Sequence, residues 1–301
     1  MFIQFKEVSQ NIFKIALSCT ITFLFITSVT AQEVHEPKID SNYIKPYPPF
    51  RIAGNLYYVG TYDLACYLIT TTKGNILINT GTAASASQIE SNIENLGFKF
   101  SDTRIILITH AHYDHVGAVA TILEKSGARL MVDAGDEEVL ESGGQADYEL
   151  GKYGVTFQPV KPDRLLHNGD TVTLGDMQLI MLHHPGHTKG ACSYLFTVKD
   201  SSRSYRVLIA NMPTIITDRR FGDITAYPGI QQDYAYTLQS MKNIGFDIWL
   251  AAHASQFDLQ QKHPPGSAYN PSAFMDKKDF FAGVNDLQKR FDEKLKNDAK
   301  E

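Results

Sequence analysis

The segment ILITHAHYDHVGA at positions 106–118 constrains the fold of this chain more than any other stretch. It opens with a continuous run of aliphatic residues, which is typical of a strand buried on both faces. His110, His112, Asp114 and His115 follow within six positions. Because residues two positions apart in an extended segment point to the same side, His110 and His112 are expected to face one site. The segment therefore predicts a buried strand with four potential metal ligands at its end.

The remaining sequence alternates short strand-like runs with amphipathic helical segments. Strands are predicted at NLYYVG, ACYLITT, NILINTG, RLMVDA, TVTLG, MQLIMLHH and FDIWLAAH, and helices at about 82–97, 116–127, 231–244 and 280–295. An extended lead-in is predicted at 42–50, and a mobile or disordered Gly-rich loop at 141–160. Since no linker separates the two halves of this pattern, we predict one α/β domain, a sandwich with helices outside and two mixed β-sheets inside.

The first residues of the chain have the composition of a secretory signal peptide. Lys6 and Lys14 precede the apolar stretch IALSCTITFLFITSV, and a small-residue Val-Thr-Ala sequence stands before Gln32. This order is typical of export signals, and the apolar run is shorter than the roughly 20 residues of a membrane span. We therefore predict that residues 1–31 are removed and that residues 32–301 form a single periplasmic domain without a membrane anchor.

Charge and cysteine content narrow the classes of partner. With 28 Lys and Arg against 33 Asp and Glu, the net charge is −5 and no basic cluster is present, so a nucleic-acid partner is not expected. A monomer that acts on a small molecule is the favoured arrangement. Cys66 and Cys192 remain after removal of the leader. Export permits a disulfide between them, and two buried free thiols on strands are the alternative.

Two further histidines stand at the ends of later strands. His187 follows the run LIMLHHPG, and His253 follows IWLAA. A single histidine at such a place is usually an ordinary surface or core residue, but five histidines and one aspartate at three strand ends indicate a metal site. Imidazole and carboxylate are ligands that zinc accepts. One closed site with four ligands and two open sites are both compatible with the first cluster, and the later histidines favour two. The five other histidines are not assigned to the site: His35, His167, His183, His184 and His263.

The segments THAHYDHVGA and HHPGHTKG, together with the late His253, resemble the metallo-β-lactamase superfamily and its H-x-H-x-D-H motif. The resemblance covers about residues 50–294 and implies a four-layer αββα sandwich with a zinc site at one edge of the sheets. Lactonases and thiolester hydrolases of this fold usually have a bridging aspartate where this chain has Asn211. No cysteine ligand is present there either, so the resemblance is to subclass B3. The segments IANMPTII, AYPGIQQDYAY and HASQFDL are similar to its GOB-type branch, which often has glutamine where this chain has His110.

The resemblance implies zinc-dependent hydrolysis of the β-lactam amide bond of penicillins, cephalosporins and carbapenems, which would give antibiotic resistance. It implies two zinc ions with separate ligand sets, His110, His112 and His187 for the first and Asp114, His115 and His253 for the second. Asp114 is expected to act with a metal-bound hydroxide. The alternatives are another zinc hydrolase of this fold, such as a lactonase or a thiolester hydrolase, and a non-catalytic zinc-binding module.

Five further residues are predicted to contact substrate. Thr214 is the candidate donor to the substrate carboxylate, and Met212 is assigned either to the pocket or to the core. The Gly-rich loop carries Tyr148, Tyr153 and Phe157, which could form an aromatic lid over the substrate.

Overall fold

The structure is a computed structural model that describes residues 33–201 and 203–300. The predicted leader at 1–31 lies outside the described residues. Within the described part of the chain, no helix is both long and apolar enough to cross a membrane.

The strands form two mixed sheets, as predicted. The first sheet contains β1 (Phe50–Ala53), β2 (Leu56–Tyr58), β3 (Tyr67–Thr71), β4 (Gly74–Ile78), β5 (Thr103–Leu107), β6 (Arg129–Asp133) and β7 (Arg164–Leu166), in that order. Strands β1 to β4 are antiparallel, and β4 to β7 run parallel. The second sheet contains β8 (Thr171–Leu174), β9 (Met177–His183), β10 (Cys192–Lys199), β11 (Ser204–Ala210) and β12 (Ile248–Ala251). In this sheet β11 and β12 are parallel, and the other neighbours are antiparallel.

The helices are α1 (Ser41–Ile44), α2 (Ala86–Asn95), α3 (Tyr113–Val116), α4 (Val119–Ser126), α5 (Glu137–Glu141), α6 (Ile230–Met241), α7 (Leu259–Lys262) and α8 (Lys277–Asp298). Two of them differ from the sequence-based prediction. The lead-in contains the single turn α1, because the Asp40 side chain accepts a hydrogen bond from Asn42 N and caps it. The helix after the histidine cluster is divided into α3 and α4 around Gly117, where an added Cβ would lie only 2.4 Å from Ala83 N.

Two buried apolar clusters confirm the four-layer αββα arrangement. The larger joins the facing sides of the two sheets to α6 and α8, and the smaller joins the first sheet to α2, α4 and α5. The strand before the histidine cluster contributes to both, since Ile105 and Leu107 belong to the larger cluster and Ile106 to the smaller. This arrangement explains the continuous apolar run, because both faces of β5 are buried.

The two cysteines in the described part of the chain, Cys66 and Cys192, are free and buried. Cys66 belongs to the smaller cluster, whereas Cys192 belongs to the larger one and donates to Ile108 O at 3.3 Å. The structure therefore supports two buried thiols and not a disulfide.

The Gly-rich segment that was predicted to be mobile or disordered is folded against the core. It begins in α5, and Gly144 N donates to Val139 O at 2.8 Å while Phe157 N donates to Gly143 O at 3.0 Å. These backbone bonds satisfy groups that a disordered loop would leave to solvent.

An ion pair joins the ends of strands from different sheets. His183 Nδ1 at the end of β9 donates to Asp133 Oδ2 at the end of β6, over 2.7 Å. Burial acts to lower the pKa of His183, but Asp133, Asp233 and Asp136 outweigh it and raise the pKa above its ordinary value of 6.5. The folded protein therefore holds the His183 proton more tightly than the unfolded chain does.

This linkage predicts a pH-dependent stability. Because the pKa of His183 is raised by folding, the stabilisation is fully present below the unfolded pKa and is lost as the pH rises through the folded pKa. We expect Asp133→Asn to lower the free energy of unfolding by roughly 1–3 kcal/mol at about pH 5 and by less at about pH 9. Urea unfolding at both pH values measures this difference. An effect that is equal at both values, or larger at the alkaline one, would contradict the assignment.

Candidate metal centre

The cluster at the end of β5 is held in place by a neighbouring strand end. Asn79 follows β4 and adopts a φ of 62°, in the left-handed region that asparagine tolerates. Its Oδ1 accepts from Thr109 N at 2.9 Å, and Thr109 Oγ1 lies 3.2 Å from the same atom. The chain just before His110 is therefore fixed to the adjacent strand.

The structure brings the first predicted ligand set together. His110, His112 and His187 are all buried, and they offer one nitrogen each within 4.8 Å of one another. His112 Nδ1 lies 3.1 Å from His187 Nε2. The His110 ring is perpendicular to both others, with centroid distances of 4.7 Å to His112 and 4.6 Å to His187. Three imidazoles from two separate loops thus converge on one point.

The second predicted ligand set converges beside the first. His115 Nε2 lies 3.2 Å from His253 Nε2, and Asp114 Oδ2 lies 3.5 Å from the former and 3.6 Å from the latter. His110 also lies within 4.8 Å of Asp114 and His115, so it stands between the two sets. The two sets are therefore adjacent, and each has two nitrogens or more.

Contacts behind the first set determine which nitrogens carry lone pairs. His187 Nδ1 donates to the carbonyl oxygen of Thr214 at 2.8 Å, and His112 Nε2 donates to Asp147 Oδ2 at 3.2 Å. Their other ring nitrogens, which face each other at 3.1 Å, are consequently acceptors when the rings are neutral. Two lone pairs at this distance repel unless a proton or a metal ion lies between them. The donor set therefore fits a metal ion, and neutral imidazole nitrogens suit zinc.

The second set has the same arrangement. His253 Nδ1 donates to Asp63 Oδ2 at 3.0 Å, which turns its Nε2 lone pair towards His115 and Asp114. Asp63 also accepts from Ser255 N at 2.8 Å, so the carboxylate is itself held in place. Carboxylate partners of this kind orient metal-binding histidines.

Four of the six candidate ligands have protonation states that suit metal binding. Burial, followed by the neighbouring imidazoles, lowers the pKa of His187 to about 4 and the pKa of His110 well below its ordinary range. Burial likewise lowers the pKa of His115 to about 3, although Asp114 opposes the shift. Burial alone would raise the pKa of Asp114, but His115 and His253 outweigh it and the pKa is lowered. At neutral pH these three imidazoles are neutral and Asp114 is ionised.

The other two candidate ligands, His112 and His253, hold a proton more readily. Burial acts to lower the pKa of each, but Asp147 and Asp63 respectively outweigh it, so the pKa of each is raised. Metal binding at these two imidazoles would therefore have to displace a proton that is more readily held there.

The structure shows the protein contacts of two residues that were predicted to bind substrate, Met212 and Thr214. Met212 is 5 % exposed and belongs to the larger cluster, where its Cε lies 3.4 Å from the position of a Cβ added to Gly283 in α8. The Met212 side chain therefore packs against a helix, as the core alternative expects, and its contact with substrate stays a prediction. Thr214 is half-buried, and its hydroxyl lies 3.1 Å from His187 Nδ1. The structure thus shows Thr214 orienting a histidine, and its contact with substrate stays a prediction.

The three aromatic residues of the predicted lid lie in different surroundings, and their contact with substrate stays a prediction. Phe157 is buried in the smaller cluster, and Tyr148 is buried in the larger one, edge-on to Tyr227 at 5.4 Å. Tyr153 is 68 % exposed, with the Lys152 ammonium over its ring. Core packing therefore occupies two of the three rings, and the third faces solvent.

Sequence reasoning missed the residues that orient the ligands. Asp147 and Asp63 lie in loops, and neither has a metal-ligand spacing that would set it apart from an ordinary surface aspartate. The one available signal for Asp147 was a lone carboxylate in a Gly-rich loop, where a solvated side chain is the usual interpretation. Asn79 gave the additional signal of a residue that tolerates positive φ at a strand end.

The chain is similar to known metal-dependent enzymes in both sequence and structure. The family model described as the metallo-beta-lactamase superfamily matches residues 61–200. A curated relative, hydroxyacylglutathione hydrolase from Bradyrhizobium sp. (strain BTAi1), is 34% identical over 122 residues, which are 39% of this chain and 39% of that protein. The chain thus spans about two fifths of the length of this relative.

Solved structures match over a greater length. The metallo-beta-lactamase GOB-18 from Elizabethkingia meningoseptica is 56% identical, with a TM-score of 0.88, and the match covers 89% of this chain and 100% of that one. The class B3 di-zinc metallo-beta-lactamase LRA-12 from an Alaskan soil metagenome is 59% identical, with a TM-score of 0.86, covering 87% of this chain and 100% of that one.

Proposed function

Because the chain belongs to the metallo-beta-lactamase superfamily, and within it to subclass B3, we propose that it is a zinc enzyme that hydrolyses the amide bond of β-lactams. The observation that carries the proposal is the pair of converging ligand sets, in which three ring nitrogens are turned inward by hydrogen bonds behind them. Penicillins, cephalosporins and carbapenems are the proposed substrates, and the proposed consequence is resistance to these antibiotics.

We propose two zinc ions per chain. The first would be held by His110, His112 and His187, and the second by Asp114, His115 and His253. Support for two comes from the separate convergence of each set and from the complete motif, since His110 supplies the imidazole that the first set needs. Zinc at this place would act as a Lewis acid that polarises a carbonyl oxygen and lowers the pKa of a bound water to about 7.

The side chains of the protein perform the remaining steps. Asp114 is ionised and only 8 % exposed, so its carboxylate can accept a hydrogen bond from the attacking water, orient it and receive its proton. Thr214, Asp147 and Asp63 hold three of the imidazoles with their free ring nitrogens already turned towards the proposed metal positions. The protein therefore supplies positioning and a proton acceptor, without a nucleophilic side chain.

Asn211 separates this proposal from a lactonase or a thiolester hydrolase. It follows β11 and is buried, and its backbone N–H donates to Ser193 Oγ at 3.0 Å. Its amide is neutral, so it cannot supply the negative charge of a bridging carboxylate. The hydroxyacylglutathione hydrolases among the relatives match 39% of this chain. A β-lactam amide is therefore the favoured bond.

The test is hydrolysis of purified zinc-loaded protein with a penicillin, a cephalosporin, a carbapenem, a lactone and a thiolester. We expect ring opening of the β-lactams that disappears with a chelator and returns with added zinc. If the protein hydrolysed the lactone or the thiolester but showed no chelator-sensitive hydrolysis of any β-lactam, the lactonase or thiolester hydrolase assignment would replace this one.

Replacing Asp147 by asparagine tests the orientation of His112. We expect Asp147→Asn to weaken zinc binding at the first set by about 10- to 100-fold. An amide oxygen accepts the hydrogen bond from His112 Nε2 less strongly than a carboxylate does, so the ring is held less firmly with its Nδ1 lone pair facing the metal position. Competition with a chromogenic chelator measures this affinity. Asp163→Asn is the control, since Asp163 also accepts a backbone N–H, from Leu130, but lies away from the ligand sets. Equal affinity in the two variants would show that Asp147 has no such role.

Export belongs to the proposal as well. We propose that residues 1–31 act as a signal peptide and that the mature chain, which begins near Gln32, works as a monomer in the periplasm. The composition of the leader supports this. Expression with cell fractionation should yield a periplasmic protein whose intact mass lacks the leader, and retention of the full mass in the cytoplasm would contradict export.

A further inference from the structure

A buried carboxylate lies behind the first ligand set and takes no part in the contacts described above. Asp136 ends a short turn after β6 and is 1 % exposed. Its Oδ2 accepts from Ala111 N at 2.8 Å and from Thr188 Oγ1 at 2.9 Å, while its Oδ1 accepts from Gly190 N at 2.8 Å. All three donors belong to the loops that carry the first ligand set.

These three bonds connect two loops that the sequence places far apart. Ala111 stands between two ligands of the first set and follows a strand of the first sheet. Thr188 and Gly190 follow His187, after a strand of the second sheet. One carboxylate group therefore ties the two sources of imidazole to each other, and its two oxygens determine how far apart they stand.

The backbone around Asp136 packs very closely against the loop that follows His187. A Cβ added to Gly190 would lie 2.3 Å from Asp136 N, and one added to Gly135 would lie 2.4 Å from Lys189 O. Real Cβ atoms do not come so near, so both positions need glycine for the loops to meet. Burial raises the pKa of Asp136 to about 6, although its three donors oppose the shift. The carboxylate is consequently ionised at neutral pH, when it can accept all three bonds.

We propose that Asp136 is a positioning residue that sets the separation of His112 and His187 and thereby the zinc affinity of the first set. The inference rests on the proposed function, because it assumes that the two histidines share a metal. An asparagine at this position has one acceptor oxygen and an NH₂ group, so at least one of the three donors would face another donor. The loops would then separate, while the second set, which makes no contact with Asp136 among the described hydrogen bonds, would stay in place.

The test measures zinc binding to each set in the full chain. We expect Asp136→Asn to weaken binding of one zinc by about tenfold or more while the other keeps its affinity. Asp163→Asn is the control, because the Asp163 carboxylate also accepts a backbone N–H, from Leu130, but makes no hydrogen bond to the ligand loops among the described residues. Chelator competition gives the affinities, and thermal unfolding of the metal-free proteins reports general destabilisation. Both variants are expected to melt earlier than the parent protein, and only Asp136→Asn is expected to lose zinc affinity.

A second pair of variants keeps the test informative if Asp136→Asn fails to fold. Thr188→Val removes one of the three donors without changing the size of the side chain, and Thr188→Ser retains the hydroxyl. We expect weaker binding of one zinc in the valine variant and normal binding in the serine variant.

The outcomes separate the two proposals. A parent chain that binds no zinc would overturn the proposed function and this inference with it. A parent chain that binds zinc normally would leave the function standing, and either of two results would then overturn the role of Asp136. The first is an equal zinc affinity of the Asp136→Asn and Asp163→Asn variants, and the second is an equal weakening of binding at both zinc sites.

Discussion

Replacing His187 by alanine is expected to reduce kcat/KM for a β-lactam by at least about a hundredfold and to remove one of two zincs. The physical reason is that His187 provides the one imidazole of the first set that comes from the second sheet, with its Nε2 only 3.1 Å from His112 Nδ1. Without it two imidazoles remain, and a tetrahedral zinc with an open position needs three protein ligands. A hundredfold loss corresponds to about 2.7 kcal/mol of transition-state stabilisation. Steady-state kinetics with metal analysis after dialysis measures both effects.

The control is a histidine that belongs to neither ligand set. His167 has a side chain that is 75% exposed and lies in the turn before β8, so His167→Ala should keep both the zinc content and the rate. If His187→Ala retained two tightly bound zincs, the assignment of the first set would be wrong.

Replacing Asp114 by asparagine is expected to reduce the rate by a comparable factor but to release the other zinc. Asp114 Oδ2 is the one charged ligand atom of the second set and lies 3.5 Å from His115 Nε2 and 3.6 Å from His253 Nε2. The amide would lose the negative charge and the acceptor for the proton of the attacking water. We therefore expect a loss of about a hundredfold or more in kcat/KM, with the second zinc released and the first retained.

The two variants form a crossed experiment. Metal content should fall to one zinc in each, and the spectrum of a cobalt-substituted protein should differ between them, because three imidazoles hold the ion in one case and a mixed set holds it in the other. Asp170→Asn, in a turn where the carboxylate accepts from His167 N, is the control. Identical cobalt spectra in the two variants would show that the ligands are not divided as proposed.

Much of the fold was predictable because local patterns carry it. The continuous apolar run before His110 identified a strand buried on both faces, and Ile105 and Ile106 do face different clusters. The helical spacing of the last segment identified α8, whose described range is Lys277–Asp298. Periodicity reports which side of an element is buried, and this information is contained within a few residues of the chain.

The sequence was less informative where burial depends on distant segments. Met212 was left between the pocket and the core and Phe157 was placed in a lid, and the structure shows both side chains buried. An apolar side chain in a loop has no period that would show which surface it meets, and the partner surface, such as α8 for Met212, comes from elsewhere in the chain. The same lack of period led to the prediction of disorder in a loop that is folded.

By itself the sequence determined the residues that could bind metal and the strand ends that carry them, because ligand type and alternation are local properties. Only the tertiary structure decided which of them meet and how they are turned. His112 and His187 are 75 positions apart, and their lone pairs face each other because Asp147, Thr214 and Asp136 hold the two loops from behind. Such hydrogen bonds join residues from separate loops, so they exist only after both sheets have packed, and no pattern along the chain records them.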